Sequence, residues 1–409
     1  MLVLLFALAR LGAILVPLNW RLTAAEHKAI LADCAPRWIF FDADFEAHAR
    51  TLGIPVGKLE GNGNSKPEGC DTDDILIVYT SGTTGRPKGA TLTQSALLWN
   101  GFNSIHAHDL SQSDHVLTVL PMFHVGGLNN QTLPALLAGA SVTLHRRFDP
   151  ALWLGDVALR RPTLSLLVPA TLQAVVSHPA WASTDLSSLK MINAGSMVVP
   201  DSMIRAFHAR GIPVGQIYGC TETAPIAVVL LKEHAMRKVG SAGKPALHCE
   251  VKLVEGEVWV RGPNVMRGYW NDPAATAAAL TPDGWFRTGD LARIDEEGYY
   301  WIIGRSKDVI ISGGENIYPA ELENVLADCA AIAECAVVGM DDAKWGEAVC
   351  AFIVKQKDAN LDENAVLALF KDRLAKFKHP RRIVFIDNLP RNAMGKVQKF
   401  DLKRLIGRQ

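Results

Sequence analysis

The chain has 409 residues, room for roughly two to three domains at ~150 residues each. Lys plus Arg number 42 and Asp plus Glu number 42, so the net charge is zero. That leaves no global electrostatic case for a nucleic acid or an anionic membrane as partner. Apolar residues at 49% and charged residues at 21% fit a globular chain, not a disordered or low-complexity one.

Two apolar runs open the chain, Met1–Leu8 and Leu11–Leu18, with Arg10 between them. A signal peptide wants its positive charge first and a small-residue cleavage site after the apolar stretch. The interruption also falls short of the ~20 residues of a membrane span. The run is therefore expected to be a buried helix of an α/β domain, with no integral membrane segment. Glu60–Asp74 is polar and glycine-rich and reads as a loop.

From Ile75 onward, short apolar runs alternate with helical patterns. Strands are expected at Ile75–Tyr79, Val116–Leu120, Ser141–Leu144, Leu164–Val168, Leu189–Asn193 and Val214–Tyr218. Helices are expected at Ser95–His106, Leu128–Leu137, Ala151–Leu159, Ala170–Val176 and Asp201–Ala209. This spacing predicts a mostly parallel α/β sheet. After about residue 248 the pattern becomes all-β: Val251–Leu253, Glu257–Val260, Phe286–Ile294 and Tyr299–Ile303, with Asp295–Gly298 as a hairpin loop. The last hundred or so residues mix helices (Pro319–Ala327, Asn364–Ala375) with strands (Glu334–Val338, Ala348–Val354, Arg382–Ile386). The fold class expected is α/β: a large body, a β-rich subdomain and a small α+β lid.

Seven cysteines, Cys34, Cys70, Cys220, Cys249, Cys329, Cys335 and Cys350, are scattered and odd in number, with no C-x-x-C pair. They argue against a disulfide framework or a zinc site and for a reducing, cytoplasmic setting.

The strongest motif is Tyr79-Thr-Ser-Gly-Thr-Thr-Gly-Arg-Pro-Lys-Gly-Ala90, placed directly after a buried strand. Thr80, Ser81, Thr83 and Thr84 supply hydroxyls, Gly82, Gly85 and Gly89 supply backbone access, and Arg86 and Lys88 supply charge. Such a loop can cradle phosphate oxygens and reach a magnesium ion. It is not a Walker-type loop, because Pro87 precedes the lysine and Gly89 stands where a Ser or Thr would follow.

This motif resembles the phosphate-binding loop of the adenylate-forming (AMP-binding) superfamily, whose members include acyl-CoA synthetases, adenylation domains and firefly-type luciferases. Further segments match in the same order. They are Pro121-Met-Phe-His-Val-Gly-Gly127, Asn193-Ala-Gly195, Tyr218-Gly-Cys-Thr-Glu222 and Gly284-Trp-Phe-Arg-Thr-Gly-Asp290. Gly304-Arg-Ser-Lys-Asp308 with Ile311-Ser-Gly-Gly-Glu-Asn-Ile317, and Pro390-Arg-Asn-Ala-Met-Gly-Lys396, complete the set. The resemblance covers the chain from Leu2 onward and implies a longer N-terminal segment than this sequence carries. It implies a body over 1–306, with the β-rich part at about 249–306, and a mobile lid over 307–409.

The resemblance also implies residue roles. Thr80, Ser81, Gly82, Thr83, Thr84, Gly85 and Lys88 would hold the ATP phosphates. Ala194, Gly195, Tyr218, Gly219 and Cys220 would line the nucleotide, with Thr221 beside its phosphate and Glu222 on magnesium. A hard cation on ATP wants carboxylate oxygen and uses few protein ligands, which suits a lone glutamate. Asp290 would accept the ribose hydroxyls and Arg305 would assist. His124 would orient the substrate carboxylate, which is already ionised at pH 7. Lys396 would reach the carboxylate and the α-phosphate, where losing such a donor costs roughly 3 kcal/mol. Lys307 would be the hinge, and Ser312, Gly313 and Gly314 would face a thiol tunnel.

The implied reaction is ATP-dependent acyl-CoA synthesis with Mg2+, ATP and CoA. An acyl-adenylate and pyrophosphate form first, then a thioester and AMP. The acyl pocket is expected from Val125, Gly126, Gly127, Met197 and Ala224. The stretches around these residues contain no Arg or Lys, which disfavours a dicarboxylic acid. The glycines leave room for a medium- or long-chain fatty acid, the favoured reading, or an aromatic acid. The alternatives are an adenylation enzyme that loads a carrier protein and a truncated, inactive nucleotide- or acyl-binding relative. A homodimer is compatible with the sequence.

Overall fold

The computed structural model describes residues 1–59, 66–80, 87–196, 199–391 and 397–406. Its centre is a seven-stranded sheet in the order Ser141–Leu144, His115–Thr118, Leu164–Leu167, Met191–Gly195, Val214–Tyr218, Val228–Val229, Lys244–Pro245. The first five strands run parallel and the last two are antiparallel additions. Successive residues of a strand point to opposite faces, and both faces are covered. Val116, Leu164 and Met191 pack against Leu110 and Ala135 on one side. Leu117, Leu167 and Ile192 pack against Trp153, Leu172 and Phe207 on the other.

Helix starts follow from capping chemistry. Asp149 accepts from the Leu152 amide at 2.9 Å, with Pro150 opening the helix Pro150–Arg160. Thr93 accepts from the Ala96 amide at 3.0 Å at the start of Gln94–His108.

A small antiparallel sheet joins Asp74–Thr80, Lys88–Thr93 and Gly268–Tyr269. The helix Leu2–Arg10 lays Leu5 against this sheet. It is less buried than expected from its composition, since Val3 is 73% and Phe6 51% exposed. No helix among the described residues is long and apolar enough to cross a membrane.

The β-rich part is a four-stranded sheet, Glu250–Val254, Glu257–Arg261, Phe286–Ile294 and Tyr300–Arg305, antiparallel throughout. Its Asp295–Gly298 loop closes through the Asp295 carboxylate, which accepts from the Glu297 and Tyr299 amides. A short 3-10 turn, Ser306–Asp308, leads to a five-stranded sheet. The long pair Ile332–Asp342 and Gly346–Lys355 forms its core, and the helix Pro319–Ala327 packs Leu322 and Leu326 onto it.

Two helices differ from expectation. The stretch read as Leu128–Leu137 is two pieces, a π-turn at Leu128–Thr132 and a helix at Leu133–Leu137, preceded by a short helical turn at Val125–Gly127. The stretch read as Asn364–Ala375 is regular only over Glu363–Ala368, and Asp372 further on has φ +62°. A left-handed residue ends helical continuation.

Candidate active site

Parallel strands deliver their next residues to one edge. Val119 follows His115–Thr118, Val168 follows Leu164–Leu167, Ser196 follows Met191–Gly195 and Gly219 follows Val214–Tyr218. Carboxyl edges of such sheets are where ligands bind in open α/β folds. Here Val119, Val168 and Ser196 line a cleft of about 2200 Å3, together with His124, Gly126 and Gly127. The nucleotide-type segments leave the same edge.

Gly219 is fixed by close approach: a Cβ there would sit 1.7 Å from the Pro225 carbonyl oxygen. The turn after it is closed by Thr223, whose hydroxyl accepts from the Cys220 amide and donates to the Cys220 carbonyl. Thr221 is buried in this 3-10 turn. Burial, then the charges of Glu222 and Asp290, push the Cys220 thiol well up, so it is a neutral packing group. Ala194 is fully buried and Gly195 ends its strand.

Asp290 is 8% exposed and faces Arg305 across the strand pair. The Arg305 Nε donates to its Oδ1 at 2.8 Å, and the Tyr218 hydroxyl donates to its Oδ2 at 3.0 Å. Burial of Tyr218, reinforced by the Asp290 charge, raises the phenol's pKa, so it stays a donor. Burial opposes the Arg305 charge, but Asp290 and the other acidic groups near it outweigh that and raise its pKa. A carboxylate held from two sides in this way is a rigid acceptor able to meet vicinal hydroxyls.

Glu222 is held by a residue that motif spacing did not single out. The Tyr269 hydroxyl donates to its Oε1 at 2.8 Å, and the Lys88 ammonium lies 5.2 Å from the Tyr269 ring centre. Burial and the Glu222 charge raise the pKa of Tyr269. Residues 88, 222 and 269 thus form one polar group. The strand Lys88–Thr93 explains it, since it carries Lys88 on one side of its sheet partner Gly268–Tyr269. Thr80 pairs with Lys88 across the other strand contact. Ser81, Gly82, Thr83, Thr84, Gly85, Met197 and Lys396 lie outside the described residues.

The expected acyl wall divides. Gly126 and Gly127 line the cleft, and a Cβ on Gly126 would meet only Ser196 Oγ at 3.9 Å. Val125 and Ala224 do not line it. They are buried in an apolar core cluster with Leu128 and Leu76, which closes them off from the cleft. The expectation of a wall without basic residues also needs correction. Arg146 and Arg147, from the segment after Ser141–Leu144, border the cleft. Arg146 is paired with Asp42 and Asp44, and the Arg147 guanidinium lies over the Trp20 ring. Those residues come from segments outside the matched motifs.

In the C-terminal part, Ser312, Gly313 and Gly314 form the tip of the hairpin Ile310–Ser312 and Glu315–Ile317. Gly313, at φ +62°, donates its amide to the Trp345 carbonyl, and a Cβ there would sit 2.6 Å from the Trp345 ring. Lys344 and Arg381 each place a cation 4.9 Å from that ring's centre. An aromatic plate with two cations suits a base and its phosphates. A lone Trp between Lys344 and Gly346 was the only trace of it in the sequence. Lys307 sits in the 3-10 turn between the two sheets.

The AMP-binding enzyme model matches residues 1–270, and the AMP-binding enzyme C-terminal domain model matches residues 321–396. The chain belongs to the AMP-binding enzymes. Within this adenylate-forming superfamily it is an acid–thiol ligase. It is similar to the indoleacetate–CoA ligase of Aromatoleum aromaticum, 49% identical over 100% of this chain and 86% of that one. It is 41% identical to a feruloyl-CoA synthase of an Amycolatopsis species, over 98% of this chain and 86% of that one. Among solved structures it is similar to the o-succinylbenzoate CoA synthetase of Bacillus subtilis. With that enzyme's acyl-adenylate complex it gives a TM-score of 0.89 at 33% identity, covering 98% of this chain and 85% of the other. With the complex holding ATP and a magnesium ion the TM-score is 0.88, also at 33% identity, over 98% and 86%.

Proposed function

We propose that this AMP-binding enzyme joins an aromatic carboxylic acid to coenzyme A at the expense of ATP. One observation carries the reading. The cleft at the sheet's carboxyl edge has a bare backbone surface at Gly126, open to Ser196, where a flat ring can lie beside His124. The aromatic acids in the names of the similar ligases support the ring over the fatty chain that glycines alone favoured.

In this reading Asp290, fixed by Arg305 and Tyr218, accepts the ribose hydroxyls. Thr80 to Gly85 and Lys88 hold the phosphates, with Thr221 beside them. Ala194, Gly195, Tyr218, Gly219 and Cys220 border the nucleotide. Glu222 has one oxygen fixed by Tyr269, which fits a magnesium ion that keeps most of its waters. Bound with ATP, that ion supplies neutralisation of phosphate charge. His124 orients the substrate carboxylate, whose oxygen attacks the α-phosphorus and expels pyrophosphate. Lys396 stabilises charge on the transferring group. After a rotation about Lys307, the CoA thiol passes Ser312, Gly313 and Gly314, loses its proton, attacks the acyl carbon and expels AMP. Trp345 with Lys344 and Arg381 receives the nucleotide end of CoA.

The test is pyrophosphate release across aromatic, fatty and dicarboxylic acids, with and without CoA. Release with aromatic acids alone, and thioester only when CoA is added, is the expected result. Preference for a fatty or aliphatic dicarboxylic acid, or transfer to a carrier protein in place of CoA, would overturn the reading.

A further inference from the structure

Asp290, the ribose acceptor of the proposed function, sits in an irregular stretch of its strand. Glu257 pairs with Leu291 and Trp259 with Arg287, so the three residues 257–259 face the five residues 287–291. The surplus bulges at Thr288-Gly289-Asp290. Bulges re-aim a side chain and recur beside active sites. Gly289 makes the turn at φ +70°, a left-handed conformation that glycine takes at no steric cost. A Cβ on Gly289 would meet nothing within 4 Å, so backbone conformation rather than space calls for glycine. A bulge disrupts the ladder locally, and its peptide groups need other partners if Asp290 is to point one way.

Side chains supply those partners. Glu257 Oε1 accepts from the Gly289 amide at 2.8 Å. The Thr288 hydroxyl accepts from the Asp290 amide at 3.0 Å and donates to the Val258 carbonyl at 2.7 Å. The Ser306 hydroxyl donates to the Gly289 carbonyl at 3.2 Å. Of these three side chains only Glu257 is a carboxylate, and hydrogen bonds to charged groups are the stronger kind. Its other oxygen is fixed too: the Trp259 indole N–H donates to Oε2 at 3.1 Å. The Trp259 ring is flanked in turn by its cross-strand neighbours Lys252 and Arg287, whose cations lie 5.2 and 5.0 Å from its centre. Glu257 is thus anchored by Trp259 on one side and carries the bulge on the other.

We propose that Glu257 is a positioning residue for the nucleotide: by holding the Gly289 amide it aims the Asp290 carboxylate at the ribose hydroxyls. The inference rests on the ribose role of Asp290 given above and adds the residue that acts through it. Arg305 and Tyr218 fix the two carboxylate oxygens; Glu257 fixes the backbone that carries them. A site built to hydrogen-bond a hydroxyl rejects the analogue lacking it. Loss of Glu257 is therefore expected to weaken the reading of the ribose hydroxyls selectively.

The experiment compares ATP with 2′-deoxy-ATP and 3′-deoxy-ATP by pyrophosphate release at saturating acid, in the parent chain, Asp290→Ala, Glu257→Ala and Glu257→Gln. The parent is expected to prefer ATP by roughly 10- to 100-fold in kcat/KM. In Asp290→Ala that preference should fall to near one. In Glu257→Ala it should fall by roughly 5- to 10-fold, through the KM for ATP. Use of the deoxy analogues and the KM of the acid should stay near the parent values. Glu257→Gln, whose amide oxygen can still accept from Gly289, should keep most of the preference. A preference unmoved in Glu257→Ala overturns the proposal, as does an equal loss with ATP and the deoxy analogues, the mark of a merely structural role. If Glu257→Ala does not fold, Glu257→Met, which keeps the side chain's length without an acceptor, decides by the same ratio. A parent that uses all three nucleotides equally sinks the ribose role of Asp290 and this inference together. A preference lost in Asp290→Ala but kept in Glu257→Ala sinks only the role of Glu257.

Discussion

The group around Asp290 and Glu222 and the cleft beside His124 belong to one body but are built on opposite terms. In the first, charged and phenolic groups hold one another before any ligand arrives. Arg305 and Tyr218 grip Asp290, and Tyr269 grips Glu222. In the second, the wall is backbone and apolar surface, and its shape comes from what is missing at Gly126. On the proposed function, the difference matches the two ligands. A nucleotide is the same in every member of such a family and can be met by fixed polar geometry. The acid varies and is met by space.

Asp290→Ala tests the first half most severely. It strips two bonds from a buried site and removes the carboxylate that Arg305 and Tyr218 share. Bonds to charged groups are worth about 1.5–3 kcal/mol each. The expected result is a fall of roughly 100- to 1000-fold in kcat/KM for ATP, read by pyrophosphate release, with a far smaller change in the KM of the acid. Equal damage to both substrates would mean that the two regions are not separable.

Gly126→Leu tests the second half. Its Cβ has room, so the chain is expected to fold, and the rest of the side chain would fill the place of a ring. A loss of roughly 10- to 100-fold in kcat/KM for the aromatic acid is expected, a size typical of one misfitted group in an apolar pocket. The KM for ATP should stay near the parent value. An acid preference that does not move would place the ring elsewhere in the cleft.

Trp345→Ala probes a third region that follows the nucleotide pattern but lies in the C-terminal part. Stacking on an indole is worth about 1–3 kcal/mol per base, so the KM for CoA should rise about 10-fold. Pyrophosphate release without CoA should be unaffected. A changed first half-reaction would remove Trp345 from the CoA-binding role.

These regions also differ in how far they could be read from sequence. The strands and helices of the parallel sheet were legible because apolar runs and helical periodicity repeat locally. Asp290 and Glu222 stood out as acidic residues in motifs. Tyr269 did not, because its link to Glu222 exists only once the strand Gly268–Tyr269 pairs with Lys88–Thr93. The acyl wall was least legible. Val125 looked like lining and is core, while Arg146 and Arg147 border the cleft from a segment without a motif. A cavity is a joint property of residues far apart in the chain, and composition near one motif says little about it. The π-turn was read as ordinary helix because its residues keep a helical spacing. Its polar run Asn129–Thr132 was the one visible sign.

The support of the acyl wall gives the mildest test. The helix Gln94–His108 braces the π-turn: Asn100 donates to the Asn129 carbonyl at 2.7 Å and Ser104 to the Asn130 carbonyl at 2.6 Å. At the end of this seam His108 is fully buried, with Nδ1 2.8 Å from the Ser104 carbonyl and no partner for Nε2 among the described residues. Burial pushes its pKa down to about 4, and the Lys190 charge adds to this, against the Ser104 carbonyl that favours the proton. An unfolded histidine titrates near ~6.5. Between those values the unfolded chain binds more protons, so stability is full above about 6.5 and declines as pH falls toward 4. At ~1.4 kcal/mol per unit, the loss by pH 5 is on the order of 2 kcal/mol. His27 and His208 are also lowered by burial, so the test is a difference. His108→Asn keeps a donor for the Ser104 carbonyl and removes the titration. Its Tm should fall less than the parent's between pH 7 and pH 5, by a few degrees. Parallel Tm curves would show that the acid sensitivity lies elsewhere, and that the acyl wall is braced as firmly at low pH as the polar cluster around Asp290.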